Sequence, residues 1–292
     1  MELLENKRAL RIWKAFELNI LYSGLARTGT EWQAENVRSP FSRLYFILKG
    51  EGTVCWAGTS RAGTTAACPT SACQADVCLA KEKLRLKEGS LYLIPAGVTF
   101  SYSCEHYMEQ LFFHVNVNGE NGMDLFQGCG RILERESQAG QNGLALQLYR
   151  SESTADAFRL KGLIWEELAA FAEAEGLPPE SGRSCSELVS RFFFLAQNPV
   201  SASNHVRGLA ERLHVAESTL SKRFRLETGM APGAYLNRLV LEKACRLLLS
   251  EEVSIAAVAD RLGFSDQFYF TKYFRRQMSM TPSAYRRLMR RG

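Results

Sequence analysis

The sequence predicts a multidomain protein with an all-β N-terminal domain, a helical connector and an all-α C-terminal domain. Short strand patterns separated by turns fill residues 17–119, apolar residues take a helical period from about residue 154, and the last third repeats itself. At 292 residues the chain is long enough for more than one core. We expect the domains to span residues 1–120, 121–184 and 185–292.

The N-terminal region alternates short strands with turns. LYFILKGEGTVCWAG, residues 44–58, places two strand patterns around a Gly-Glu-Gly turn, and residues 83–104 repeat that rhythm. EQLFFHVNVNG, residues 109–119, closes the region. Strands with turns about every 8–12 residues are typical of a β-sandwich or barrel. The small and polar residues 58–81 predict an excursion from a hairpin tip.

The connector is predicted to contain an amphipathic helix over residues 154–176. Gly176 and the Pro178-Pro179 pair end it, and residues 178–184 resemble a linker in composition. An apolar stripe on a connector helix is a candidate contact with a second subunit, so we expect a homodimer. The stripe consists of Phe158, Leu160, Leu163, Ile164, Leu168 and Phe171.

Charge is distributed unevenly along the chain. Residues 201–292 carry 16 Lys and Arg against 8 Asp and Glu, whereas the first 200 residues carry 20 against 23. This asymmetry indicates a polyanion partner for the C-terminal domain, although charge alone also fits a solvated basic surface. No apolar run reaches the roughly 18 residues of a membrane span, and the N-terminus lacks a signal-peptide pattern. We therefore expect a cytoplasmic protein without a membrane partner.

The most specific signal is the internal repeat. Residues 209–236 align with residues 258–286 at an offset of 49, which becomes 50 after one extra residue in the turn. Each copy has the pattern of a short helix, a turn and a second helix. Apolar residues at i, i+3 and i+4 predict the core faces of the second helices. These faces are Leu220 and Phe224 in the first copy, and Phe270, Tyr273 and Phe274 in the second.

The other faces of both second helices carry amide, hydroxyl and basic side chains. Gln, Lys and Arg can read base edges, while Thr and Arg bind phosphates. One copy alone fits an ordinary helical hairpin, but two copies in a basic region favour binding to double-stranded DNA. The candidate DNA-binding residues are Ser218, Thr219, Ser221, Lys222, Arg223, Arg225, Gln267, Phe268, Thr271, Lys272, Arg275 and Arg276.

The segment SIAAVADRLGFSDQFYFTKYFRRQMSMTPSAYRR, residues 254–287, carries Gly263-Phe264, Asp266-Gln267 and Thr281-Pro282 at characteristic places. With it, residues 185–292 resemble the AraC/XylS family of transcription regulators. The resemblance implies two helix-turn-helix motifs, joined by a helix over residues 231–250, that enter successive major grooves. It also implies RNA polymerase as a partner, and activation rather than repression.

Four positions depart from the family pattern. Val240 replaces an arginine, which removes a polar or phosphate contact of the linking helix, and Ala216 replaces the serine that caps the first recognition helix. Phe268 replaces a serine, where its ring could contact a thymine methyl or pack internally. Ser279 replaces a glycine, which matters only where φ is positive.

The β region resembles the cupin-like effector domain of the same family through LYFILKGEG and LKEGSLYLIPAGVTFSY. In QLFFHV, residues 110–115, strand alternation predicts one apolar face and one face with a ring between two hydrogen-bonding groups. Such a face suits a sugar or a similar polar ligand, although Tyr102 and His114 also fit a satisfied core. The resemblance adds Arg38 and Tyr102. The candidate effector-binding residues are Arg38, Trp56, Tyr102, Gln110, Phe112 and His114.

Metal catalysis is not expected. Cupin enzymes bind metal through clustered His and Glu, often as His-x-His, whereas the β region contains only His106 and His114. We therefore predict no cofactor, no metal site and no enzymatic activity. Cys68, Cys73 and Cys78 leave a zinc or redox site open, although structural zinc sites use tighter pairs. The alternatives are a metal-dependent cupin enzyme fused to a DNA-binding module, and a ligand-independent DNA-binding protein.

Overall fold

The computed structural model describes residues 16–57, 81–119, 123–177, 185–249, 253–278 and 280–290. The predicted excursion with Cys68, Cys73 and Cys78, the predicted linker and Ser279 lie outside the described residues. The strands are β1 Phe16–Thr28, β2 Gln33–Arg38, β3 Ser42–Ala57, β4 Lys81–Lys87, β5 Ser90–Ile94, β6 Thr99–Ser103, β7 Met108–Gly119 and β8 Leu133–Glu136. The helices are α1 Gln141–Arg150, α2 Thr154–Ala174, α3 Glu187–Gln197, α4 Val206–Arg212, α5 Glu217–Thr228, α6 Pro232–Leu249, α7 Ile255–Arg261, α8 Gln267–Met278 and α9 Pro282–Arg290.

The strand β3 links the two halves of the antiparallel N-terminal sheet. Its first part pairs with β5 and β7, and its second part pairs with β4 and β6. The change of partner falls near Gly50, where φ is +71° and a Cβ would lie 2.1 Å from the carbonyl oxygen of Tyr107. Only glycine fits there, because a side chain would collide with backbone.

The sheet extends further than the sequence indicates. The sequence interpretation ended the strands at residue 119, but β8 pairs with β5 beyond it. The strand is only four residues long and contains one apolar residue, Leu133, so its alternation is too short to detect.

Two cores lie on opposite faces of the sheet. We call the core between the sheet and α1 and α2 the outer core, and the core enclosed by the strands the inner core. Leu111, Phe113 and Val115 of β7 belong to the outer core, and Phe112 belongs to the inner core. The predicted alternation along β7 is therefore present.

The helix α2 confirms the predicted connector helix but uses its apolar stripe differently. Leu160, Leu163, Ile164, Leu168 and Phe171 pack into the outer core of their own chain. The stripe is consequently not available to a second subunit, which corrects the sequence interpretation.

Phe158, which the sequence interpretation included in the stripe of α2, does not join it. Its side chain is 69% exposed. Residue 158 lies two positions before Leu160, which turns it about 200° away around a helix.

The helical C-terminal region confirms the predicted duplication. Unit one (α4 and α5) and unit two (α7 and α8) each pack around a separate core, and α6 contributes side chains to both. Pro232 and Pro282 begin α6 and α9 at equivalent places. The equivalent pairs Leu220 and Phe270, Phe224 and Phe274, and Tyr235 and Tyr285 are all buried.

None of the helices in the described part of the chain is long and apolar enough to cross a bilayer.

Candidate nucleic-acid interface and effector site

The second helix of each unit, α5 and α8, presents the residues predicted to bind DNA. Each is anchored by the apolar residues already predicted: Leu220 and Phe224 in α5, and Phe270 and Phe274 in α8. Ten of the twelve predicted DNA-binding residues are exposed, and Ser221 and Thr271 are half-buried. We call α5 and α8 the recognition helices.

The N-termini of the two recognition helices are capped differently. Ala216 precedes α5 and provides no side-chain hydrogen bond, as the sequence predicts. The carboxylate of Asp266 precedes α8 and accepts a hydrogen bond of 2.7 Å from the Tyr269 N–H. This bond also lowers the pKa of Asp266 below its ordinary value. The second recognition helix therefore has the better-defined start.

The basic residues of α5 are not equally available to a partner. Arg223 forms an ion pair with Glu227 one turn later, and Glu227 also accepts hydrogen bonds from Ser186. Lys222 and Arg225 are exposed, and no ion pair of either residue is found within the described residues. A phosphate would thus meet less competition at Lys222 and Arg225 than at Arg223.

Five of the six predicted effector-binding residues line the inner core. Gln110, Phe112 and His114 lie on one face of β7, opposite Ile47, Tyr45 and Arg43 of β3. Trp56 lies in the second part of β3, and Tyr102 lies in β6, which pairs with that part. Both side chains belong to the same core.

Three of these residues have buried polar atoms without a protein partner. They are Trp56 Nε1, Gln110 Oε1 and His114 Nδ1, which find no hydrogen-bond partner among the described residues. Burial, with the nearby charge of Arg43, lowers the pKa of His114 well below its ordinary value, so the ring is neutral. A buried polar group without a partner costs about 1–3 kcal/mol. A hydroxyl-bearing ligand or water would remove this cost.

Arg43, which the sequence interpretation missed, is a central residue of the sheet face that surrounds the inner core. We call this face the inner face. Its guanidinium is buried between Phe41 and Phe100, with its Cζ 5.6 and 5.3 Å from the ring centres. It donates a hydrogen bond of 2.7 Å to Ser39 Oγ and one of 3.4 Å to Tyr45 Oη. The alternation Arg43, Tyr45, Ile47 in β3 was the available signal, because it sends all three side chains to one face.

Comparison with known proteins agrees with the duplicated unit. Residues 209–288 match a family model described as a helix-turn-helix domain. The HTH-type transcriptional activator RhaS of Escherichia coli is 30% identical over 52% of this chain and 50% of its own length. The MmsAB operon regulatory protein of Pseudomonas aeruginosa is 39% identical over 30% of each chain. Residues 209–288 are thus an AraC-type helix-turn-helix domain.

Similarity to known regulators extends beyond the helix-turn-helix region. The Msm operon regulatory protein of Streptococcus mutans is 22% identical over 70% of this chain and 77% of its own length. ToxT from Vibrio cholerae superposes with a TM-score of 0.56 at 13% identity, covering 94% of this chain and 99% of ToxT. The two-domain fold of ToxT is thus present here, whereas the alignment with RhaS spans only about half of that protein.

A cleft of about 470 Å³ lies between the β domain and the helical domain. Arg38 of β2, Arg238 of α6 and Arg276 of α8 line it, and no acidic residue is among its described lining. Arg38 is therefore apart from the other five predicted effector-binding residues. Arg276 likewise lies beside β2, apart from the N-terminal half of its recognition helix.

Buried ionisable groups fill the contact between the two domains. Arg238 and Glu242 of α6 form an ion pair of 3.2 Å, and Arg238 also donates a hydrogen bond to Gln127. Asp124, which follows β7, accepts hydrogen bonds of 2.9 and 3.1 Å from the Val117 and Phe126 N–H groups. Burial raises the pKa of Glu242 to about 7 and that of Asp124 to about 6. Sequence reasoning missed this cluster because its members come from distant parts of the chain.

Val240 of the same helix is buried in the core of unit two. Its replacement of the family's arginine thus adds apolar contact inside the domain.

Proposed function

We propose that this protein is a ligand-responsive, sequence-specific DNA-binding transcription regulator and an activator of carbohydrate-related genes. The duplicated unit carries this proposal, because both recognition helices expose amide, hydroxyl and basic side chains at equivalent places on equivalent cores. RhaS, one of the relatives, is named as a transcriptional activator. The proposal includes no enzymatic activity and no cofactor.

The proposal assigns residues 1–120 to effector binding, 121–184 to the connector and 185–292 to DNA binding. It places the protein in the cytoplasm as a homodimer that contacts RNA polymerase. Since the stripe of α2 is used internally, a second subunit would meet the opposite side of the connector. Phe158 and Trp165 are 69% and 37% exposed there and support such a contact.

Substitutions on α8 test the DNA interface. We expect Gln267→Ala and Lys272→Ala to weaken binding to a selected operator by about tenfold and to leave non-specific binding unchanged, because amide and ammonium groups read base edges. We expect Arg275→Ala and Arg276→Ala to weaken binding to all sequences and to reduce the slope of log affinity against log salt by about one each. Fluorescence anisotropy with operator and scrambled duplexes over a salt series measures both effects.

Arg223→Ala is the matched control for these variants. It removes an exposed arginine from a recognition helix, but its partner Glu227 already neutralises that charge in the free protein. We expect a smaller change than at Arg275. Parent-like binding of all four α8 variants would contradict the assignment of this face to DNA.

The inner face of the β domain is the proposed effector site, and a sugar is the proposed ligand class. Phe112 offers a stacking surface, and the unpartnered atoms of Trp56, Gln110 and His114 offer one donor and further hydrogen-bonding positions. A second location is the interdomain cleft, where Arg38 and Arg276 suit a carboxylate and Arg238 is already paired with Glu242. ToxT has been solved with an unsaturated fatty acid bound, which supports including carboxylic acids in the test.

Calorimetric titration with panels of sugars and carboxylic acids distinguishes these sites. For a ligand in the inner face, we expect His114→Ala to weaken binding by about tenfold, because it removes one buried hydrogen bond, and Arg38→Ala to leave it unchanged. For a ligand in the cleft, we expect Arg38→Ala to weaken binding and His114→Ala to leave it unchanged. Absence of heat from every ligand would favour the ligand-independent alternative, and metal retained through purification would favour the enzymatic one.

A further inference from the structure

Phe268 is an exposed aromatic residue at the start of the second recognition helix. Its side chain is 77% exposed, and no ring contact of Phe268 is found in the described part of the chain. The ring therefore does not pack internally, which was one of the two readings of the sequence. A single exposed apolar side chain is common in proteins, so the position of Phe268 and its neighbours must indicate whether it has a partner.

The surroundings of Phe268 identify the class of partner. Within α8 it shares one face with Lys272 and Arg275, at i+4 and i+7, and the helix contains no acidic residue. The residue before it is Gln267, which is exposed, and the carboxylate of Asp266 is occupied with the Tyr269 N–H. An aromatic ring flanked by an amide and two cationic side chains is suited to contact nucleic acid rather than an apolar protein surface.

The position of Phe268 in the helix indicates contact with the edge of a base rather than with the sugar-phosphate backbone of DNA. It is the second residue of α8, and the N-terminal residues of a recognition helix are those that reach bases in the major groove. In that groove the thymine C5-methyl is the apolar feature that a phenyl ring can contact. A phosphate offers nothing to such a ring.

We propose that Phe268 reads the C5-methyl group of a thymine in the part of the operator that unit two contacts. The proposal rests on the proposed function and adds which base unit two selects. The equivalent residue of unit one is Ser218, which is also exposed and has only a hydroxyl. The two units consequently read different bases, so the two parts of an operator are unlike.

Selection of duplexes from a random pool by the full-length protein, compared with the Phe268→Ser variant, tests this inference. Serine is the residue that unit one has at this position, and an exposed substitution leaves the fold unchanged. We expect the parent to select thymine at one position where the variant shows no preference, with all other positions unchanged. Phe268→Leu should keep part of the preference, because it retains apolar contact.

Replacing that thymine by deoxyuridine removes the methyl group alone. We expect the parent to bind the deoxyuridine duplex about threefold to fivefold more weakly, and Phe268→Ser to bind both duplexes equally. Tyr269→Ser is the matched control. Tyr269 is 60% exposed on a different side of the helix, so its variant should keep the parent's sensitivity to deoxyuridine.

The outcomes separate this inference from the function on which it rests. If parent and Phe268→Ser select the same defined operator, or if the parent binds the deoxyuridine duplex as tightly as the thymine duplex, Phe268 does not recognise the thymine methyl group. The proposed regulatory function is unaffected by either result. A changed preference at a base other than thymine also overturns it. Failure of the parent to select any sequence overturns the proposed function itself.

Discussion

Phe274→Ala is expected to destabilise the DNA-binding domain by about 3–5 kcal/mol, the usual cost of removing a fully buried phenylalanine. Phe274 is completely buried, and its ring lies 5.8 Å from that of Phe270 and 5.5 Å from that of Tyr285. Domains are stable by only about 5–15 kcal/mol, so unit two would lose a large part of its stability.

Two optical probes can show which domain is destabilised. All four tryptophans precede residue 166, so their fluorescence reports the β domain and connector, whereas circular dichroism at 222 nm is dominated by the helices. In urea titrations we expect Phe274→Ala to lower the midpoint seen by circular dichroism more than the midpoint seen by fluorescence.

Phe268→Ala is the matched control for this prediction, because it removes the same ring from the same helix at an exposed position. Its stability should stay within about 0.5 kcal/mol of the parent. Equal losses in the two variants would contradict the burial pattern of α8.

Glu242→Gln is expected to stabilise the protein increasingly as pH rises from about 4.5 to 7. Burial between the domains raises the pKa of Glu242 to about 7 from an ordinary value of 4.5. In this window the folded protein holds a proton that the unfolded chain has released, so parent stability falls as pH rises. The variant lacks this proton, and its advantage should grow to at most about 3 kcal/mol above pH 7.

Other groups at the contact titrate too, which makes the difference between variant and parent the quantity to measure. Arg238 and Arg246 of the same helix face Glu242, as do Asp124 and Asn116 of the β domain. His114 has a lowered pKa, so it contributes stability that is lost as pH falls below about 6.5, the opposite direction. These contributions are common to parent and variant, and the difference isolates Glu242.

Thermal unfolding of parent and Glu242→Gln between pH 4.5 and 8 provides the measurement. Asp124→Asn is a useful companion, because its advantage should develop at lower pH, between 3.8 and about 6. A difference between Glu242→Gln and parent that does not change with pH would show that this carboxyl is solvated and that the domains do not meet as described.

The repeat shows how far sequence periodicity reaches. Leu220, Phe224, Phe270 and Phe274 are buried as predicted, because a short helix packed on one side must place its apolar residues every three or four positions. The weak cap at Ala216 is also a local property, and the structure confirms it. The same helical period predicts which residues of the two recognition helices are exposed at equivalent positions.

The same periodicity fails where neighbours in space decide. It placed Phe158 in the stripe of α2, because apolar character alone does not show which side of a helix meets the sheet. It overlooked β8, since one apolar residue in four has no readable alternation. The family resemblance, and not the periodicity, added Arg38 to the candidate effector-binding residues, and the structure places Arg38 in the lining of the interdomain cleft.

By itself the sequence determined the two-part architecture, the duplicated helix-turn-helix unit and the exposed polar faces of its second helices, because each depends on residues close together along the chain. The tertiary structure alone decided what those local elements meet. It buried Arg43 in the β domain, brought Asp124 to Arg238 and Glu242 across the domain contact, and left Phe268 in solvent. These outcomes depend on contacts between residues that are far apart along the chain, which no local period encodes.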